Sequence, residues 1–491
     1  MRFLGSLRIA ATAVLGASLL LGAVSPSNLR SMVTLESQRS LGAGQLAAFL
    51  DSSDEATAAR AALAIGRTKL PAGIPLLEAH LDDRRASVRA LSVYGLGLIG
   101  TGSDVARIAD DAHADPSGAV RVASLDALGR YEDAKVLDAA AERDAAAAVM
   151  AALASDRDPI VRGRAAITLS FFGDSPEKTR ALDALVAATR RDAAVGVRER
   201  AMWSIFRRYA TLAPRPFLRE MLLDPDIVVR IEAVRAYGKL GTAAAADDLL
   251  PLLHDSSWRV QEQTAESINV LRGGKMTEHL TAVPSYAHVP PPQPDPLAVL
   301  APRPWPSVAP GAPTAAQLGT IPALVPTTAE QMVSPARGPH PRVRFVTTQG
   351  DFYVVLFPEW APMTVANFMN LAARGFYDNN RWFRIVPDFV VQTGEQDDVK
   401  APGPGYTIVA EENPLEQNAY VISMGLDYDD KTQTPKRDSA GSEYYITLSP
   451  QYHLDNAFTV FGEVTSGFDV FARLAERDKV LRVERVDDAN L

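Results

Sequence analysis

The sequence predicts a multidomain chain, with an all-α solenoid followed by a proline-rich linker and a β domain carrying two capping helices. Three observations predict it. A motif recurs from about Ser40 to Gly274, sixteen of the 34 prolines fall between Thr281 and Pro341, and beyond Arg342 short alternating apolar runs replace the helical pattern. At 491 residues the chain is too long for one ordinary core, so several domains are expected.

The first residues read as an export segment, residues 1–26. Arg2 and Arg8 flank the start of an apolar run at 9–24 that ends at Ser25, Pro26 and Ser27. The run falls short of the ~20 residues that span a bilayer comfortably. A cleaved signal is expected, and because Pro26 would follow a cut after Ser25, an uncleaved membrane tether at 9–24 stays open. Either way the bulk of the chain is expected outside the cytoplasm, in a bacterial periplasmic or other extracytoplasmic setting.

From 40 to 275 an acidic turn, a Val-Arg pair and an Ala-rich amphipathic run ending in Gly recur every ~31–41 residues. The copies start at Asp83, Asp115, Asp156, Asp192 and Asp224, with weaker ones at Asp51 and Asp255. Apolar residues at i, i+3 and i+4 make each unit helical. The pattern resembles HEAT repeats, paired helices stacked in a solenoid, and implies a client or protein partner for the repeats. The aspartate is expected to cap the second helix. The arginine of each pair (Arg89, Arg121, Arg162, Arg198, Arg230) is expected to reach acceptors in the preceding turn, in preference to binding a ligand.

Residues 276–341 cannot continue a helix or a sheet, because each proline removes a donor and fixes φ. They read as a semi-rigid linker, with a docking motif or packing back on the solenoid as alternatives. A net charge of −9 without a large basic block excludes nucleic acid as the expected partner. With no cysteine there is no disulfide and no thiolate ligand. The seven histidines are scattered, so no metal site is expected. Asp427, Asp429 and Asp430 read as a solvated loop, and Gly95, Gly97 and Gly100 spell a dinucleotide fingerprint but end a repeat helix.

The most telling stretch is RWFRIVPDFVVQTGE, from Arg381 to Glu395. Arg384, an aromatic five residues on (Phe389) and an amide three further (Gln392) fit two adjacent strands that share a face, which puts a charged donor beside an apolar slot. The string resembles the cyclophilin signature F-H-R-[IV]-[IV]-P-x-F-x-x-Q-x-G-[DE], with Phe383 in place of the His. Segments from Val343, from Gly405 to Gly425 and from Asp438 extend the resemblance over 342–488.

That resemblance implies a closed antiparallel β-barrel and peptidyl-prolyl cis/trans isomerase activity on proline-containing protein clients, without a cofactor. Strands at 343–347 and 352–357, a helix at 363–374 stopped by Gly375 and a second helix at 468–475 agree with it. It also implies that Arg384 is catalytic, that Phe389, Val390, Tyr445 and Leu454 line the proline slot, that Gln392 orients Arg384 and reaches a substrate carbonyl, and that the backbone at Gly425 pairs with an extended peptide. Glu443 replaces the family's amide and is expected to pair with Arg384, either holding it or competing for it. His453 stands where many eukaryotic members carry Trp, and Phe458 where they carry His, so the rim is altered. Residues 426–437 are longer than the usual connection, as a substrate-selecting flap or as an inert insertion.

Overall fold

Among the described residues, seven helix pairs follow a first helix, and in each pair the second helix begins just after one of the repeated aspartates. The structure, a computed structural model, describes residues 24–273, 311–315, 318, 326–333, 340–395, 403–476 and 478–486. Except for residues 24–26, the export segment lies outside the described residues, as does most of the proline-rich linker. After α1 (Pro26–Ser37) the pairs are α2 (Gln45–Leu50) with α3 (Glu55–Thr68), α4 (Ile74–Glu78) with α5 (Ala86–Ile99), α6 (Val105–Ala114) with α7 (Gly118–Asp133), and α8 (Ala139–Ser155) with α9 (Pro159–Thr168). Then come α10 (Lys178–Arg191) with α11 (Val195–Ser204), α12 (Arg215–Met221) with α13 (Ile227–Gly238), and α14 (Ala243–Leu249) with α15 (Trp258–Leu271).

From Asp83 on, the repeated aspartate sits two residues ahead of the helix cap and is not the cap itself. Asp156 Oδ1 accepts the Asp158 N–H (2.8 Å), and it is Asp158 that caps α9 through the Ile160 N–H (2.9 Å). Asp224 and Asp226 repeat this at α13. The first carboxylate is displaced from capping because an arginine of the preceding repeat takes it. Arg89 binds Asp115, Arg121 binds Asp156 and Arg162 binds Asp192, each by two N–H donors at 2.7–3.0 Å. A further N–H of each reaches the carbonyl of its own repeat's aspartate, in the preceding turn (2.7–2.9 Å). Arg198 and Arg230 continue the ladder to Asp224 and Asp255.

The glycines that mimic a nucleotide fingerprint serve packing. A Cβ on Gly66 would come within 2.4 Å of Gly95 Cα, so α3 and α5 cross nearly backbone to backbone. Gly100 ends α5 at φ +75, a conformation that favours glycine. In the described part of the linker, α16 (Ala329–Val333) packs on the solenoid, with Ala329 against Gly118 at the start of α7. Here packing back on the repeats, the third alternative, is what the chain does.

The β domain is one antiparallel sheet in the order β3-β9-β1-β2-β8-β6-β7-β5-β4. Its strands are β1 (Arg342–Thr347), β2 (Gly350–Leu356), β3 (Asn380–Arg381), β4 (Arg384–Val386), β5 (Val390–Thr393), β6 (Val421–Met424), β7 (Tyr444–Thr447), β8 (Val460–Ser466) and β9 (Lys479–Val486). The sheet curls without closing. Its two edge strands, β3 and β4, are separated by only Trp382 and Phe383, and they pair with β9 and β5 rather than with each other. Phe345, Phe352, Phe368, Tyr377 and Tyr444 pack inside the curl, and α17 (Pro362–Ala373) covers it. The second capping helix does not form. Its place is taken by a short 3-10 turn, Phe468–Val470, and ahead of β9 Asp478 accepts the Ala475 N–H (2.8 Å).

The second helix of each pair faces this sheet. Arg67 on α3 is fully buried and donates to the carbonyls of Glu412 (2.8 Å) and Trp360 (2.6 Å). Tyr94 on α5 donates to Asn456, which donates to Asp126 on α7. Arg164 on α9 meets Asp455 (3.0 Å) and Glu416 (3.1 Å), and Arg200 on α11 meets Glu416 (2.6 Å). Val355, Phe357, Trp360, Val421 and Val460 of the β domain join the apolar core of the repeats.

Candidate active site

Strands β4 and β5 form a hairpin in which Arg384 lies directly opposite Gln392. Gln392 is in turn opposite Tyr445 on β7, so one row of side chains crosses the sheet face, as alternation requires. The register explains the first contact. Arg384, exposed on the edge strand, donates from Nη1 to Gln392 Oε1 (3.1 Å). The Gln392 amide nitrogen donates to the Glu443 carboxylate.

Glu443 therefore joins Arg384 through Gln392; among the described residues the two form no direct ion pair. The Glu443 carboxylate lies over Gly425, where a Cβ would come within 2.7 Å of Oε1, and the Gly425 N–H donates to the Glu443 carbonyl (2.8 Å). Burial pushes the Glu443 carboxyl up to about 7, against the lowering effect of the Gln392 bond, with Glu395 adding to the rise.

Beside this row is an apolar slot. Val390, Tyr445 and Phe458 form its buried floor, with the Tyr445 and Phe458 rings edge to face at 5.7 Å. Phe389, Leu426 and Leu454, half-buried, pack around that floor. The Arg384 guanidinium lies 5.3 Å from the Phe389 ring centre. Phe389 stacks on His453 (6.0 Å, 18°), and His453 stacks on Trp203 of α11 (6.4 Å, 22°). Burial, with Arg207 and Arg235 nearby, lowers the His453 pKa to about 3, so this ring is neutral and acts by shape.

The structure thus brings Arg384, Gln392, Glu443, Gly425, Phe389, Val390, Tyr445, His453, Leu454 and Phe458 to one face. Two participants escape the sequence. Leu426 was visible only as the residue after Gly425, and Trp203 reads as one more apolar position of a repeat. Of residues 426–437, Leu426 packs on the slot and Arg437 bonds Glu412 and the Arg67 carbonyl, while the stretch between forms a largely exposed hairpin: Tyr428 bridges Pro435, and Asp429 accepts the Lys431 and Thr432 N–H groups.

A family model for cyclophilin type peptidyl-prolyl cis-trans isomerases matches residues 342–489, and one for HEAT repeats matches 107–206 and 182–269. Among curated proteins, peptidyl-prolyl cis-trans isomerase B of Bacillus subtilis is 41% identical over 134 residues, 27% of this chain and 87% of the relative. Peptidyl-prolyl cis-trans isomerase-like 1 of Aspergillus niger is 38% identical over 132 residues, 27% of this chain and 80% of the relative. A peptidyl-prolyl cis-trans isomerase of Synechococcus elongatus is 34% identical over 145 residues, 29% of this chain and 94% of the relative.

Proposed function

This chain belongs to the cyclophilin-type peptidyl-prolyl cis/trans isomerases, and we propose that it acts outside the cytoplasm on X-Pro bonds of protein clients, assisting their folding, with the HEAT repeats as scaffold for a client or partner. The observation that carries the reading of the site is the exposed Arg384 guanidinium over Phe389, at the edge of the floor made by Val390, Tyr445 and Phe458. A prolyl ring seated on that floor has its nitrogen beside the guanidinium.

Rotating the X-Pro bond breaks amide resonance, with a barrier of ~18–20 kcal/mol. In the twisted form the nitrogen lone pair is localised and accepts a hydrogen bond, which the planar forms do not. A donor already in place stabilises the twisted form selectively and so accelerates rotation. Gln392 Oε1 holds Arg384 in that orientation. The Gly425 N–H is engaged with Glu443, so pairing with an extended peptide falls to the Gly425 carbonyl. No covalent bond to the protein forms, and the chemistry calls for no nucleophile, metal or cofactor.

The test is isomerisation of a prolyl tetrapeptide by the full chain. Arg384→Ala should lower kcat/KM by about 10²-fold, the scale for removing one transition-state donor, and equal rates would sink this reading. A non-catalytic prolyl-peptide binder is the second reading. It is favoured by one observation, the Glu443 carboxylate that takes the Gln392 amide. Calorimetric binding of the tetrapeptide without rate acceleration would select it.

Export is supported by Arg2 and Arg8 ahead of the apolar run at 9–24, as a cleaved signal or as a membrane tether. Because the inner helices meet the chain's own β domain, the scaffold role is assigned to the outer helices of the repeats. Fractionation of producing cells with a membrane wash separates export, tethering and neither.

A further inference from the structure

We propose that the solenoid is a working part of the isomerase site: Arg235, Arg259 and Trp203 are positioning residues that hold the β4–β5 turn and the slot rim, and through them Phe389 and Arg384. The inference rests on the isomerase reading and adds the residues that set its geometry.

Strand β4, which carries Arg384, is an edge strand of three residues paired only with β5. What fixes it is the turn Pro387, Asp388, Phe389. Asp388 is buried and adopts φ +50, a left-handed turn conformation that Asp tolerates and that most side chains do not. Its partners come largely from the repeats. The Asp388 carbonyl accepts N–H donors from Arg235 of α13 (2.6 Å) and Gln451 (3.0 Å), together with the Ser449 hydroxyl. Its carboxylate accepts two N–H donors from Arg259 of α15 (2.7 and 3.3 Å). The next residue is Phe389, the slot wall over which Arg384 lies.

The rest of the rim, where His453 meets Phe389, is held in the same way. Tyr452 packs edge to face on Trp203 (5.1 Å), His453 stacks on the same indole, and Asp455 pairs with Arg164. Phe389 and His453 are therefore both referenced to the solenoid, and the stack Trp203, His453, Phe389, Arg384 is continuous from α11 to the reacting position. A substrate running past the prolyl ring toward His453 meets the repeats directly.

The test compares the full chain with Arg259→Ala and Arg259→Lys. Arg259 is a quarter exposed, so its loss leaves the apolar core intact. Arg259→Ala should lower kcat for the tetrapeptide by about tenfold with a smaller change in KM, within the loss expected when a catalytic group is misplaced by under 1 Å. Arg259→Lys should recover most of that, and the melting temperature should stay within a few degrees. Amide exchange at Phe389, whose N–H bonds the Val386 carbonyl (3.0 Å), should quicken in Arg259→Ala.

Unchanged kcat and unchanged exchange in Arg259→Ala would overturn the proposal, as would a loss that Lys does not recover. Should the wild type show no isomerisation, the isomerase reading fails, while exchange at Phe389 still decides whether the solenoid holds the turn. Trp203→Ala, compared with Trp203→Phe, checks the other rim: a loss of rate confined to the alanine variant supports the stack, and equal rates in the two contradict it.

Discussion

The ladder edge of the solenoid and its inner face use the same residue type for different work, and on α9 the two stand two residues apart. Arg162 binds Asp192, thirty residues on, and ties one repeat to the next. Arg164 binds Asp455, 291 residues on, and ties the repeats to the β domain. The first pairing is partly exposed and recurs with the period of the sequence; the second is buried and has no period. The lesson is that the repeat pattern specifies how the solenoid stacks and leaves unspecified what its inner face holds.

That difference predicts unequal effects on stability. Arg164→Ala should destabilise the protein by about 3–5 kcal/mol, because Asp455 would lose its buried partner and Glu416 would keep only Arg200. Arg162→Ala should cost about 1–2 kcal/mol, since neighbouring ladder pairs remain and solvent reaches the site. Chemical denaturation of the two variants measures both, and equal losses would erase the distinction between edge and face.

A smaller effect concerns activity and pH. With its pKa raised to about 7 by burial, Glu443 is neutral below that pH and ionised above it. The ionised carboxylate draws charge toward Gln392 and Arg384 and competes with the prolyl nitrogen. We expect kcat/KM to fall by about three- to tenfold as pH rises through the inflection, the effect of a charge interaction near 1 kcal/mol. Glu443→Gln should flatten the profile, and a wild-type profile without an inflection near 7 would remove Glu443 from the account.

How much was legible follows from sequence distance. Arg384, Phe389 and Gln392 could be grouped because they share one hairpin, whose register puts the first opposite the last. The ladder arginines could be assigned a structural role because their acceptors recur with the repeats, although the capping role given to the aspartates belongs to residues such as Asp158 and Asp226. Arg235, Arg259 and Trp203 carry no such signal. Arg259 and Asp388 are 129 residues apart, and nothing in either neighbourhood names the other. Closure of the barrel is incomplete because the edge strands β3 and β4, though brought close by the two-residue link between them, pair with β9 and β5 and not with each other. The helix at 468–475 is replaced by tight turns, in which the Arg473 and Leu474 N–H groups share the Val470 carbonyl and the Ala475 N–H bonds Asp478, although Val470, Phe471 and Leu474 keep a helical spacing.

The central claim is that the solenoid acts on catalysis through Arg384. A double-mutant cycle of Arg259→Ala and Arg384→Ala, read as kcat on the full chain with the prolyl tetrapeptide, tests it most directly. Arg259→Ala, costly in the wild-type background, should change little once Arg384 is gone. Equal fold-losses in the two backgrounds would contradict the claim.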